Sequence, residues 1–511
     1  MKNEEITSFL SDSSKYKTIP IIKRFIVDTL TPIQIFQNVE SEASFLLESK
    51  DEESSWSRYS FIGLKPFLFI QESSGVFSIK NESKQNLMKK PSLKEAFNWV
   101  EKSLAIKKID LDIPFSGGAV GYLGYDSIST FEKVEENPNI DLNVERQQFF
   151  FCETIIAYDH HQREVIFIHN VRLTGEENEK SKRAILAHAY SKIDMYISKI
   201  MQHTRQQELY LENVDTLQVS FEGVKSNYKK EKFIEDVNKI KDYISAGDVF
   251  QAVLSQRFEI PIKVTGFQLY RVLRTVNPSP YLFYIKIDDL EIVGSSPERL
   301  IKIDHSHLEI HPIAGTRRRG RTEEEDLQLE EELKNDKKEQ AEHYMLVDLA
   351  RNDIGRVAKY GSVNTPVLME LGRFSHVMHL ISKVTGVLDE KVDPIDALIA
   401  AFPAGTVSGA PKIRAMQILN ELEPTARNLY AGTVAYIGFD GNIDSCITIR
   451  TIVLKDGVAY VQAGAGVVAD SVPELEWKET RNKASALIKT IEIAQKTFEE
   501  QEDSYVSATL K

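Results

Sequence analysis

Two carboxylates three residues apart on one helix, faced by a second such pair on another, could hold a divalent cation between them. The run from Glu339 to Asp353 reads as a helix in which Glu339 and Glu342 share a face. Glu476 and Glu479 repeat the spacing near the C-terminus. Brought together, four carboxylates repel one another unless positive charge sits between them. A hard cation with oxygen ligands answers that need. Mg2+ suits it, because it accepts a few carboxylates and keeps positions for water or an anionic substrate. Taken singly, either pair would be ordinary solvated surface, since a like-charged pair costs only ~0.2–0.5 kcal/mol. Glu323 to Asp326 and Glu330 to Glu332 are read in that way. Around the two chosen pairs, Ala341, Met345, Leu346 and Leu349 on one helix and Trp477 and Ala484 on the other place the carboxylates at the edge of a buried face.

The chain that must position these groups has 511 residues, more than a single hydrophobic core usually serves, so two lobes are expected, 1–224 and 225–511. A hydrophobic content of 42% with 27% charged residues is that of an ordinary globular protein. A net charge of −13 argues against nucleic acid or an anionic membrane as partner. The start, Met1-Lys2-Asn3-Glu4-Glu5, lacks the basic, apolar and small-residue succession of a secretory signal, and no apolar run is long enough to span a bilayer. Two cysteines, Cys152 and Cys446, support neither a disulfide framework nor a thiolate metal site, and a reducing cytoplasmic location is expected.

The first lobe reads as β-rich, with strands at Phe67–Ile70, Phe149–Tyr158 and Glu164–Ile168. Gly117 to Tyr125 is too rich in glycine for a helix and predicts close backbone packing or a bend. A helix is expected from about Ser181 to Gln202, then a connection from His203 to Asn227. Phe233, Val237, Ile240 and Ile244 form one stripe of an amphipathic helix that Gly247 ends. Strands are expected at Gln251–Phe258, Tyr281–Ile287, Glu291–Gly294, Gly432–Gly438 and Ala459–Gly464. The last helix should open on Ser471-Val472-Pro473-Glu474, a capping box with proline in the first turn. Gly405 to Lys412 fails the spacing of a phosphate loop, which argues against ATP.

Read together, several segments resemble the chorismate-utilising enzyme family. They are Gly247 to Arg257, Ser296-Pro297-Glu298-Arg299-Leu300, His311 to Arg317, Glu339 to Asp353, Ser375 to Leu380, Gly405 to Lys412 and Gly464-Ala465-Gly466. The resemblance runs from about residue 45 nearly to the end. It implies an α/β structure of the α+β type, two-lobed, with large antiparallel sheets flanked by helices. Relatives that form isochorismate or salicylate carry a lysine where this chain has Gln251, and a glutamine cannot act as a base at neutral pH. The para-aminating branch carries a lysine nucleophile where this chain has Ala314. With both absent, the resemblance implies ammonia as the nucleophile, and anthranilate and pyruvate as products of chorismate. The alternative kept open is the para-aminating reaction.

The resemblance also implies roles. Glu342 and Glu479 would contact Mg2+, with Glu339 and Glu476 behind them through water. Glu298 matches the family's general acid, and its pKa would need raising to keep it protonated near neutrality. His379 matches the histidine beside the reacting ring, and Thr316 joins these two as a catalytic group. Gly315, Thr316, Thr406, Tyr430, Arg450, Gly464, Ala465, Gly466 and Lys483 would hold substrate, arginine through its fork and the glycines through exposed amides. Leu46-Leu47-Glu48-Ser49 and Asn277-Pro278-Ser279-Pro280-Tyr281 resemble tryptophan-binding elements, so Ser49, Pro280 and Tyr281 are expected to bind L-tryptophan as a feedback inhibitor. Neither cysteine lies in a glycine-rich nucleophile turn, so a separate glutamine amidotransferase subunit should supply the ammonia, in a heterotetramer of two of each. From a different class, a dimetal oxidase would need Glu-x-x-His pairs, whereas Met345 and Asn482 stand three after Glu342 and Glu479. A catalytically dead tryptophan-binding regulator is the third possibility, against which Glu298, Glu342, His379 and Glu479 weigh.

Overall fold

The computed structural model describes residues 3–50, 55–109, 111–202, 209, 219–373 and 377–509. Most of the expected connection at 203–227, together with Ser375 and His376, lies outside the described residues.

Two long strands decide the architecture. Tyr59–Ser73 and Gln147–Asp159 pair antiparallel, from Tyr59 opposite Asp159 to Gln71 opposite Gln148. Both are buried along nearly their whole length, the pattern of strands covered on both faces, which is why Phe149-Phe150-Phe151-Cys152 does not alternate with polar residues. Beyond this pair the sheet parts into two wings. Gln147–Asp159 meets Gly118–Leu123 through its first half and Glu164–Arg172 through its second. Tyr59–Ser73 likewise meets Ala43–Glu48 and then Val76–Asn81.

One wing continues from Ala43–Glu48 through Tyr281–Ile287, Leu290–Ser296, Thr451–Lys455 and Val458–Val467 to Gln251–Pro261. The other runs from Gly118–Leu123 through Thr433–Gly438, Ile443–Ile447, Arg299–Asp304 and His307–Ile310 to Val377–Val387, which also pairs with Ile313–Arg318 and Asn364–Arg373. The described strands form one hydrogen-bonded sheet, and every ladder between them is antiparallel. Residues 1–224 and 225–511 are thus joined along two ladders, one in each wing. The glycines expected to pack closely do so: a Cβ on Gly121 would stand 2.0 Å from the carbonyl oxygen of Gln148.

The wings close on an aromatic layer that includes Phe45, Phe61, Phe115, Tyr122, Phe150, Phe283 and Tyr436. Phe61 and Phe115 meet edge to face with centroids 5.7 Å apart, a favoured ring geometry. Neighbouring side chains part across each strand, so Phe45 faces this layer while Leu46 faces helices outside it. Pro32–Val39, Glu179–Ile200, Gly266–Val276 and the C-terminal helix Pro473–Thr509 cover the first wing. Leu93–Leu104, Lys337–Gly355 and Pro394–Ala401 cover the second.

Helix ends follow the local chemistry with one correction. Lys230–Ala246 ends at Gly247 in the left-handed region at φ 85°, as expected. The capping box at Ser471 does not form. Ser471 closes a turn back onto Val468, and its hydroxyl oxygen accepts the Val468 N–H at 3.0 Å rather than an N–H of the helix. The Val472 carbonyl accepts the first helical N–H groups and Pro473 stands at the first helical position. A reciprocal box occurs instead at Thr265 and Gln268, opening Gly266–Val276.

Candidate functional site

The two acidic pairs come from helices that cover opposite wings. On Lys337–Gly355 the buried stripe is His343, Leu346, Val347 and Ala350, so Ala341, expected at the buried edge, faces solvent. Glu339 and Glu342 are half-buried beside that stripe, Glu476 is half-buried on the C-terminal helix and Glu479 is exposed. Burial, and then the charges of Glu339 and Glu479, hold Glu342 above the usual carboxylate range; Lys338 and Lys483 oppose them. Burial likewise raises Glu476, with Glu479 adding to it and the Ser471 hydroxyl opposing. The other two carboxylates already have cations: Glu339 pairs with Arg317 at 3.2 Å and Glu479 with Lys483 at 2.7 Å. Among the described residues no three carboxylate, imidazole or thiol groups converge into a cage. The donor chemistry nevertheless fits a divalent ion: all-oxygen ligands on two elements, two of them raised by burial and by neighbouring negative charge.

Glu298 follows Leu290–Ser296 in the Ser296-Pro297-Glu298 link, and its carbonyl accepts the Ile447 N–H at 3.0 Å. The residue keeps some solvent contact, yet its carboxyl lies in a concavity enclosed by protein, and that burial pushes it up to about 7. The Thr406 hydroxyl and the Lys483 charge pull the other way. Thr406 Oγ1 is buried and completes no hydrogen bond of full geometry within the protein. The turn carrying it presses on the acidic helix, since a Cβ on Gly405 would lie 1.8 Å from Leu349 Cδ2.

His379 sits on Val377–Val387 opposite Thr316 of Ile313–Arg318. Its Nδ1 is 2.8 Å from the Gly315 carbonyl and 3.1 Å from Thr316 Oγ1. A carbonyl oxygen only accepts, so Nδ1 carries the proton and Nε2 is the acceptor of the neutral ring. Burial lowers the imidazole pKa, the bond to Gly315 opposes that, and Arg450 lowers it further. Gly315 needs its missing Cβ, because at φ 66° a side chain would meet Leu333 at 2.9 Å and Glu339 at 3.3 Å.

Arg450 has φ 50°, the left-handed region that an arginine rarely occupies. Its guanidinium makes no salt bridge among the described residues, and burial lowers its pKa while Tyr430 raises it. A half-buried cation without a carboxylate is a place for an anion from outside. Burial pushes the Tyr430 hydroxyl up to about 12, and a Cβ on Gly464 would stand 2.7 Å from it. Lys483 Nζ donates to the Gly464 carbonyl at 3.1 Å. Ala465 and Gly466 continue that strand opposite Leu254 and Val253, with the Gln251 amide nitrogen 2.5 Å from where a Gly466 Cβ would be. From Glu298 through Lys483, Gly464, Tyr430, Arg450, His379 and Gly315 to Glu339, the expected groups form one connected set.

Ser49, Pro280 and Tyr281 lie elsewhere, together. They line a cavity between the wings, walled by Tyr59, Phe61, Phe283 and Tyr436 and carrying Glu48, Arg299 and Asp444. Sequence reading did not assign Arg299 or Asp444 to it, nor Arg317 and Lys338 to the carboxylates. The lysine of Lys337-Lys338-Glu339 was the available signal for the second; the first has none short of the strand register.

The family of chorismate binding enzymes matches residues 42–489. Anthranilate synthase component 1 from Bacillus caldotenax is 58% identical over 500 residues, 98% of each chain. That from Bacillus subtilis is 56% identical over 498 residues, 98% of this chain and 97% of the other. Among solved structures, anthranilate synthase component I from Streptococcus pneumoniae superposes with a TM-score of 0.73 at 34% identity, covering 91% of this chain and 99% of that one. The menaquinone-specific isochorismate synthase from Escherichia coli, at 18% identity over 95% and 98% of the two chains, shares the fold with a TM-score of 0.67.

Proposed function

From the premise that this chain belongs to the chorismate binding enzymes, we propose that it is the ammonia-using component of an anthranilate synthase, converting chorismate and ammonia to anthranilate and pyruvate. The observation that carries this reading is unbroken likeness, across 98% of both chains, to a component 1 of that enzyme. Gln251 and Ala314 support it, since neither side chain can supply the base or the amine of the other branches.

Arg450, Lys483 and the amides of Gly464, Ala465 and Gly466 hold the substrate carboxylates, with Tyr430 and Thr406 as hydroxyl partners. Ammonia forms a bond to ring carbon 2 as the ring double bonds shift and the carbon 4 hydroxyl leaves. Hydroxide leaves poorly, so Glu298 gives it a proton and it departs as water. A carboxyl pushed up to about 7 is largely protonated just below neutrality, which suits that task. His379 Nε2, with Thr316 and Gly315 fixing the ring, then takes the proton of carbon 2 while the bond to the enolpyruvyl oxygen breaks and the ring becomes aromatic. Glu342 and Glu479, with Glu339 and Glu476 behind them, would hold a Mg2+ ion, which would supply positive charge for the substrate's carboxylate end and draw off electron density.

The aromatic cavity takes L-tryptophan, the end product that restrains the reaction. Ser49 meets the polar end of the ligand, while Pro280 and Tyr281 lie against its indole. Arg299 and Asp444 offer opposite charges that match an amino-acid zwitterion, beside ring-lined walls. Ammonia reaches the chain from a separate glutamine amidotransferase subunit, two copies of each forming the assembly. A cytoplasmic location accords with two buried, free cysteines and with the absence, among the described residues, of a helix long and apolar enough to cross a membrane. The test is the purified chain with chorismate and Mg2+: turnover with an ammonium salt and none with glutamine is expected. Turnover with glutamine alone would contradict the division of labour.

A further inference from the structure

Glu298 ends the link between two strands and Arg299 opens the second of them, and the two consecutive side chains keep different company. The Glu298 carboxyl lies with Thr406 and Lys483, whereas Arg299 opens the strand Arg299–Asp304 and turns into the aromatic cavity. The register against Ile443–Ile447 slips between Arg299 and Ile301, an irregularity of the kind that re-aims a side chain.

The Arg299 guanidinium is nearly enclosed and is held on two sides. Toward the cavity its Nε donates to the Tyr281 hydroxyl at 2.6 Å, which donates in turn to Asp444 at 3.0 Å. Away from the cavity its Nη1 pairs with Glu309. Glu309 also pairs with His311 at 2.8 Å and with Lys383. His311 stands two residues before the strand that bears Gly315 and Thr316, and Lys383 lies on the strand that bears His379. A planar fork bonded on both sides cannot swing freely, so a pull on Tyr281 moves the backbone that carries Glu298.

We propose that Arg299 is a positioning residue for Glu298, and that an occupant of the aromatic cavity acts on the reaction through the chain Tyr281–Arg299–Glu309. This rests on the reading of the cavity as a tryptophan site. Tryptophan binds the arrangement in which Tyr281 and Arg299 are drawn toward it and so favours a state with Glu298 misaligned. A catalytic group displaced by about 1 Å loses roughly 100-fold in rate, so a small shift suffices.

The test uses Glu309→Gln in the full chain, a residue outside both the cavity wall and the substrate pocket. Calorimetry with L-tryptophan should give a Kd within about threefold of the unsubstituted chain. The coupling between tryptophan and the reaction should fall by about tenfold. A lower kcat with little change in the KM for chorismate should accompany it, the signature of a misplaced acid rather than of lost binding. Arg299→Lys, which keeps the charge and loses the fork, should lower the coupling likewise at saturating tryptophan, with its Kd read by calorimetry because Arg299 lines the cavity, and serves where Glu309→Gln unfolds. Undiminished inhibition in a folded variant that binds tryptophan would overturn this route while leaving the site standing. No tryptophan binding by the unsubstituted chain would overturn the reading of the cavity and the route with it.

Discussion

Around Glu298 charge is left unmatched; around Tyr281 it is closed into pairs. Arg450 has no salt-bridged carboxylate among the described residues, Thr406 Oγ1 completes no hydrogen bond of full geometry, and Glu342 and Glu476 are raised by burial and then by their acidic neighbours. In the cavity, Arg299, Tyr281 and Asp444 satisfy one another, Glu309 holds Arg299 from behind, and the walls are aromatic. Open valences of that kind suit a region that must grip a charged substrate and meet a cation. A closed network with apolar walls suits a region that recognises one shape and reports its presence. Both are built on the same strands, which turn one residue toward each.

Three substitutions would break or sharpen that contrast. The largest effect is expected for Glu298→Gln, which removes the proton donor and should lower kcat/KM by about 10²–10⁴. Tryptophan affinity, read by calorimetry, should not change with it. In the unsubstituted chain, at constant free ammonia, the limb owed to this acid should be complete below pH 7 and lost as pH rises through about 7, because only the protonated form donates. That limb should vanish in the variant. Next comes Glu339→Gln, a carboxylate held by Arg317 and proposed to stand behind Mg2+. The Mg2+ concentration for half-maximal rate should rise by about 10–100-fold, while inhibition by tryptophan at saturating Mg2+ stays as it was. The smallest is Ser49→Phe, which adds a ring to the cavity and leaves the substrate pocket untouched. The inhibitory tryptophan concentration should rise by at least about tenfold with kcat unchanged; unaltered inhibition would remove Ser49 from the site.

Much of this was legible from local chemistry. The amphipathic stripe ending at Gly247, the strand at Phe149–Tyr158 and the close-packed glycines near Gly121 follow from short-range rules, and they formed. The motif residues Glu298, Thr406, Arg450 and Gly464 were legible by resemblance, and the fold brings them together. What could not be read was long-range. The sharing of Tyr59–Ser73 and Gln147–Asp159 between two wings depends on long-range pairing, Tyr59 lying opposite Asp159, and the wings continue through partners more distant still, Glu48 opposite Leu282 and Leu123 opposite Thr433. The direction of Arg299, opposite to that of Glu298, depends on register, and so does the company it keeps with Asp444 and Glu309. Ser471 shows the limit of local reading from the other side. A serine before Val-Pro-Glu looks like a cap, yet a tighter turn onto Val468 claims its hydroxyl first. The acidic helices were found, but not that Arg317 and Lys483 already neutralise half of the four carboxylates.

The most direct measurement is to give the purified chain chorismate, Mg2+ and 15N-labelled ammonium, and to identify the product by mass and by nitrogen-coupled NMR. Anthranilate carrying the label on the carbon beside the carboxylate, with one pyruvate released and turnover lost on chelating the metal, is the expected result. Unlabelled isochorismate, or label on the carbon para to the carboxylate, would contradict the reading of Gln251 and Ala314, and with it the account of the site.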